Sequence, residues 1–357
     1  KACPWGSNAS HLIIENNTII GTSNTGATYG VRLYSTTQSG KGSNNIVRNN
    51  SIQGFSEAGI QIENQDNVLV SENKIVRPIR DFNYFVNGIV MKSTVAVLNG
   101  VIDRNEISNL NGARSLNSSY PVYGIYVDAV GSASLPIKIQ NNIISELSLT
   151  NDKVYGVYSA RSEYVDYYHN SISFTDTRNN TADKYGIYST GVFHNVNLKN
   201  NIVSIVAKNV SGNNYGIFLQ SNPASTSCDY NNISLSSPTA NDFYGHHNGI
   251  DYSTLANWQV LGNGTYGINS LEVDPLFQSS TDLTPRDNSI NNTGTNVQVN
   301  DDYYGTIRNS IPDIGAVEVD CVLPSSITLT PASDTSMLVS WDRNGSGTIW
   351  EIEYGKN

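Results

Sequence analysis

Charge is scarce in this chain of 357 residues: 15% of positions are charged, and 21 basic against 31 acidic residues leave a net charge of −10. Without a Lys/Arg cluster, the electrostatic footprint of a nucleic-acid binder is missing. No apolar run approaches the ~18 residues that cross a bilayer as a helix, so no membrane span is expected in this segment. The cysteines, Cys3, Cys228 and Cys321, are few, far apart and odd in number. They match neither metal nor redox spacing, and idle or buried thiols are expected rather than a disulfide framework. Helix signals are lacking too, with no long helical period and no capping box leading into one. The chain opens at Lys1 without Met or an apolar leader, which reads as a removed targeting segment or an internal fragment.

What fills the chain instead is Asn, Ser, Thr, Gly and Tyr, arranged in a repeat. One phrase reads Tyr29-Gly30-Val31, Ala58-Gly59-Ile60, Asn87-Gly88-Ile89, Tyr123-Gly124-Ile125, Tyr155-Gly156-Val157, Tyr185-Gly186-Ile187, Tyr215-Gly216-Ile217 and Asn248-Gly249-Ile250. Successive glycines lie 29, 29, 36, 32, 30, 30 and 33 residues apart. Between them stands an Asn phrase carrying Asn17, Asn50, Asn73, Asn105, Asn142, Asn170, Asn201 and Asn232. A fixed period with a fixed internal order means one supersecondary unit stacked on copies of itself. In Gly124-Ile125-Tyr126-Val127-Asp128 apolar and polar residues alternate, the mark of a half-buried strand. The residue after each glycine is expected to point inward. The glycine itself suits a bend where a Cβ would clash or φ is positive. The asparagines are expected at one turn, tolerating left-handed angles and hydrogen-bonding to one another along the axis.

Short strands stacked in parallel, with about eight coils of ~30 residues, predict an all-β parallel β-helix. These phrases, from about Leu12 to Ile250, resemble the right-handed parallel β-helix repeats of pectate-lyase-like proteins. That resemblance implies architecture and says little of activity, since the scaffold carries lyases, hydrolases, tailspikes and adhesins. Residues 1–255 are expected to form the rod and 256–320 its capping segment. In the latter, Asp274-Pro275-Leu276-Phe277 and Asp313-Ile314-Gly315-Ala316-Val317-Glu318 resemble the closing segment of bacterial cell-surface β-helix proteins. The physical task is to cover an open sheet edge and apolar end, with Asp313 and Glu318 structural rather than catalytic. Residues 321–357, with Trp341 and Trp350-Glu351-Ile352-Glu353-Tyr354-Gly355, resemble the beginning of a fibronectin type III domain, similar to modules of secreted Bacteroidota type IX cargo. Some 35 residues make an incomplete sandwich, so further domains of the same polypeptide are expected.

Two outer columns hold the candidate site residues. Four after each glycine stand Tyr34, Glu63, Lys92, Asp128, Ala160, Thr190, Gln220 and Ser253. A polysaccharide lyase needs a base and a group that neutralises a uronate, and Lys92, Glu63, Asp128 and nearby Arg161 are the residues to supply them. An opposite-charge ladder on a solvated face explains the same residues. Two after each glycine stand Arg32, Gln61, Val90, Tyr126, Tyr158, Tyr188, Phe218 and Asp251. Tyr126, Tyr158, Tyr188 and Phe218 form an aromatic rail on which sugar rings can stack, or which only stabilises the stack. The five histidines show no metal spacing. Asp287, Asp301 and Asp302 are candidate Ca²⁺ ligands, but no motif supports them and no cofactor is expected. The preferred reading is a non-catalytic rod of a large secreted or cell-surface protein, an adhesin or glycan-binding stalk. Its partners would be extracellular glycans or other surface proteins. A polysaccharide lyase or glycoside hydrolase on an acidic polysaccharide is the alternative, and a structural spacer the second.

Overall fold

Each repeat becomes one coil of three strands, because three short apolar alternations separated by Gly and Asn corners can each bury one side. The computed structural model describes residues 9–21, 28–36, 40–78, 85–111, 120–149, 152–176, 181–190, 194–207, 212–220, 226–237, 241–261, 266–319, 325–333 and 335–342. The glycine phrases form one face, in which Tyr29–Tyr34, Ala58–Glu63, Val86–Lys92, Val122–Val130, Lys153–Tyr168, Asp183–Ser189, Asn213–Leu219 and Asn241–His247 pair in parallel. A second face runs from Ile13–Glu15 through Ile46–Arg48, Leu69–Ser71, Val101–Asp103 and Ile137–Gln140 to His194–Lys199 and Thr226–Asp229. The long strand Lys153–Tyr168 serves both faces. The third face stacks Thr18–Ile20, Ser51–Gln53, Lys74–Arg77, Glu106–Leu110, Ile143–Ser145, Ser171–Asp176, Ile202–Ala207 and Asn232–Ser236.

The result is a parallel β-solenoid of about six turns. This is slightly fewer than the eight phrases suggest. Val31, Ile60, Ile89, Ile125, Val157, Ile187 and Ile217 line the core as the alternation requires. The glycines before them are needed for space rather than for a left-handed backbone. A Cβ at Gly156 would lie 2.6 Å from Gly186 O and 2.6 Å from Ile172 Cγ2, so it would push the next coil away and invade the core.

The last glycine phrase is a correction. Asn248-Gly249 is the turn of an antiparallel hairpin to Ile250–Tyr252, with Gly249 at φ +81° and Ile250 exposed. The eighth copy is Phe243-Tyr244-Gly245-His246, in register with Tyr215, Gly216, Ile217 and Phe218. Gly245 therefore occupies an inward Ile position, and the room is taken by Trp258, to whose ring its Cβ would approach within 2.4 Å. Trp258 ends a short helix, Leu255–Trp258, that Thr254 caps through Asn257 N–H (3.2 Å). Fully buried against Tyr244, Tyr252 and Tyr266, the indole closes the core at this end.

The asparagine ladder exists, shifted by one residue at its end: Asn201 Nδ2 donates to Asn231 Oδ1 (2.9 Å), not to Asn232. In each coil the side-chain oxygen accepts from the preceding ladder Asn twice, as Asn142 Oδ1 does from Asn105 N (3.1 Å) and Nδ2 (3.0 Å). The left-handed angle falls on the residue before the ladder: Asn16, Asn49, Glu72, Arg104, Asn141, His169, Asn200 and Tyr230 all lie between φ 51° and 61°. That position admits Glu, Arg, His and Tyr because the bend is imposed by stacking, not by local preference.

Beyond Tyr266 the chain turns back along the flank of the rod. It joins the last coil through Leu271 N to Asn231 O (2.8 Å) and Val273 N to Asn232 Oδ1 (3.0 Å). It then runs down to Arg104, which pairs with Asp301 (2.6 Å). Outward Ile143 and Ile202 are covered by Leu283, Ala316 and Val317 and by Ile290 and Ile314. Gly315, at φ +105°, is where the segment comes closest, its N–H reaching Asn200 O (2.7 Å). Ser325–Ser333 and Ser336–Asp342 form an antiparallel pair of the kind found in a β-sandwich. Cys228 is a buried free thiol in the core, while Cys3 and Cys321 lie outside the described residues.

Candidate ligand-binding face

Parallel stacking in register places each residue one strand spacing from its counterpart, so a repeated aromatic becomes a ladder. Because the phrase has an aromatic on each side of glycine, the glycine face carries two. The inner one is Tyr123, Tyr155, Tyr185, Tyr215 and Phe243, with ring centroids 5.1, 4.9, 5.1 and 5.0 Å apart and planes within 19°. The outer one is Tyr126, Tyr158, Tyr188 and Phe218, spaced 5.3, 5.1 and 4.6 Å with planes within 13°. His246 continues it, lying 3.9 Å from Phe218 and only 2° from parallel. The two ladders meet edge to face, as Tyr155 does with Tyr158 (4.9 Å, 74°) and Tyr188 (5.2 Å, 76°). Each such pair is worth about 0.5–1.5 kcal/mol beyond its buried area. The inner tyrosines are buried and the outer rings half-buried.

This geometry brings together all four rail residues read from the sequence, and adds His246, which the misplaced last copy concealed. It also changes what the rail offers. Stacked rings cover one another's faces, so a sugar cannot lie flat on them. What meets solvent is a row of ring edges and phenolic hydroxyls. Burial, then the charge of Asp128, pushes the Tyr126 hydroxyl up to about 12, so it remains a neutral donor at ordinary pH. Tyr188 donates to Gln220 Oε1 (3.3 Å), as does Thr190. Asp251, placed by spacing at the end of the same column, instead holds His246 Nδ1 (2.5 Å).

The charged column is real as well. Glu63 pairs in register with Lys92, Lys92 with Asp128, and Asp128 with Arg161. A register shift after Val127 puts Arg161, rather than Ala160, in the column. Arg161 Nε meets Asp128 Oδ1 at 2.5 Å, and its NH2 donates to Ser93 O (2.8 Å). Glu63 lies 3.7 Å from Arg32, whose guanidinium also covers the rings of Tyr29 and Tyr34. Lys92 Nζ sits 5.2 Å from the centre of the Tyr126 ring. Both carboxylates are thus held sideways against guanidinium groups, and the amine is held against a ring.

The candidate Ca²⁺ ligands are occupied one by one. Asp287 accepts from Ser289 N (2.8 Å), Asp301 faces Arg104, and Asp302 accepts from the backbone of Tyr304, Thr306 and Glu318 (2.9, 2.7 and 2.9 Å). Among the described residues no three His, Cys, Asp or Glu converge.

The strongest electrostatics lie beneath the flanking segment. Arg308 and Glu318 form a buried pair (3.0 Å). Asp313 accepts from Asn292 N (2.6 Å) and Val319 N (2.7 Å), a structural use of that carboxylate. Fully buried His169 faces Gly315 O through Nδ1 (3.2 Å) and accepts from Asn200 Nδ2 at Nε2 (2.9 Å), the neutral form with its proton on Nδ1. Burial and then the Arg308 charge hold its pKa well below the usual imidazole value. An unfolded imidazole titrates at about 6.5. Above that pH both states are neutral; below it only the unfolded chain takes the proton, so stability is lost as pH falls. Asp313 works the opposite way: burial raises it to about 6, and its contribution, present at low pH, is lost as pH rises through that value. Melting temperature followed against pH is expected to fall faster in the wild type than in His169→Gln below about pH 6.5. Parallel curves would remove His169 as the cause.

No protein-family model matches the chain, and no curated protein matches it.

Proposed function

We propose that the chain is a non-catalytic rod of a secreted or cell-surface protein, and that the aromatic strip of its glycine face binds glycans. The observation that carries this reading is the outer ladder from Tyr126 to His246, half-buried, with its tyrosine hydroxyls along the edge. Lateral pairing of Glu63, Asp128 and Arg161 favours an ion-pair ladder over lyase chemistry. Resemblance of the closing segment and the terminal strands to bacterial surface proteins and fibronectin-like modules supports a setting among other extracellular domains, with type IX export as its route. The flanking segment supports a static role, since it locks the coils together.

The test is a glycan array with wild type and Tyr158→Ala, beside incubation with uronate polymers monitored for ultraviolet absorbance of unsaturated product. Binding that is lost in Tyr158→Ala, without new absorbance, is the expected result. Absorbance abolished by Lys92→Ala would make the protein a lyase, and silence in both assays would leave a spacer.

A further inference from the structure

The glycine face is divided along its length. Its first coils carry Arg32, Glu63, Lys92, Asp128 and Arg161, the last three beside Tyr126 and Tyr158, and from Tyr188 onward the ring column has no formal charge apart from the His246–Asp251 pair at its end. Beside it stand Thr190 and Gln220, an alcohol and an amide. Within the strip, Tyr126 and Tyr158 have hydroxyls that bond to no other protein group among the described residues. The rungs recur every 4.6–5.3 Å between Tyr126 and Phe218.

A partner that contacts every rung must repeat at the same interval. An extended peptide laid along the axis advances ~3.3 Å per residue and falls out of step at once. A chain of pyranose rings joined through equatorial bonds advances about one ring length per sugar, close to the ~4.8 Å strand spacing. Ring edges are electropositive and phenols donate, so the strip attracts acceptor oxygens: ring, glycosidic and hydroxyl oxygens. Charges beside Tyr126 and Tyr158 are of both signs, Lys92 and Arg161 with Asp128, while the chain carries a net charge of −10, which disfavours a polyanion. Resting on the glycan-binding reading above, we infer that the ligand is a neutral, extended, β-linked polysaccharide running parallel to the rod axis, one sugar per coil. Ring edges and the Tyr126 and Tyr158 hydroxyls read it, without face stacking.

The test uses the full chain and β-1,4-linked gluco-oligosaccharides from disaccharide to hexasaccharide, with α-1,4-linked and uronate oligosaccharides and an extended peptide as comparators, read by calorimetry. Affinity is expected to rise with each added β-linked sugar until the rungs are used, with β-linked neutral chains preferred. Tyr158→Phe, which keeps the ring in the ladder, is expected to bind about three- to tenfold more weakly at unchanged melting temperature. Affinity independent of length, equal binding of α-linked or uronate chains, or an unaltered Tyr158→Phe overturns this inference while leaving glycan binding in place. If no saccharide on the array binds, the glycan-binding reading falls as well. Capture of the peptide instead gives the strip to a protein partner and overturns the inference.

Discussion

Asn142→Ala is expected to lower stability by about 4–5 kcal/mol, at the top of the range for one substitution. The residue is fully buried, and its Nδ2 donates to Ile102 O (3.0 Å), Gln140 O (2.8 Å) and Asn170 Oδ1 (2.9 Å). Its Oδ1 takes both donors of Asn105. Truncation strands Asn105 N–H, at about 1–3 kcal/mol, and removes further buried bonds at about 0.5–1.5 kcal/mol each. The other groups are not all orphaned: Gln140 O keeps Arg104 N, Asn170 Oδ1 keeps the backbone N of residue 142, and Asn105 Nδ2 keeps Val70 O and Asp103 O. The comparison is Asn17→Ala at the exposed start of the ladder, where the amide also reaches Asn50 Oδ1 (2.9 Å) but solvent can replace it. A loss of about 1 kcal/mol is expected there. Denaturant midpoints of the two variants decide the matter: equal losses would mean that the ladder is an ornament of the corner rather than its support.

Glu318→Ala carries the second large effect. Its carboxylate holds Arg308 NH1 (3.0 Å) and accepts from Asn309 N (3.0 Å) and Asp313 N (3.1 Å), with both charged side chains out of solvent. Removing one partner of a buried pair leaves the other charge uncompensated and costs about 3–5 kcal/mol. The lost contacts fasten the flanking segment, so limited proteolysis within residues 266–319 should accelerate in this variant. Replacing both members, Arg308→Met with Glu318→Leu, removes the stranded charge, and recovery of much of the loss is expected. A double variant no better than Glu318→Ala would shift the cause from the charge to the backbone N–H groups that Glu318 serves.

Repetition made the rod readable, because a residue recurring once per coil has its own copies as spatial neighbours. The inward Val and Ile positions, the asparagine ladder and the aromatic rail all follow from that. Errors arose where a coil departs from the pattern. Gly249 matched the phrase while Tyr244-Gly245 did not, because the inward side chain at Gly245 is supplied by Trp258 from another element. Arg161 entered the charged column through a one-residue shift that spacing cannot reveal. The flanking segment was beyond reach for a different reason. Ala316 meets Ser171 and Arg308 meets Asn141 across 145 and 167 residues, with no period linking them. Ring facing was also hidden, since spacing shows which rings are neighbours and not which surfaces they cover.

The flanking segment makes the rod mechanically unequal along its length. From the coil of Arg104 to the coil of Asn231 the layers are joined twice, by strand pairing and by a side rail fixed at Asp301, Gly315 and Val273. Among the described residues, the coils from Leu12 to Asn73 are joined by strand pairing, the asparagine ladder and side-chain contacts such as Lys41 to Asp66 and Ala96, without that rail. Under lengthwise tension the free coils peel one at a time from the Leu12 end. Arg104 is the stop at which unravelling must shear a whole lateral contact instead of a single turn.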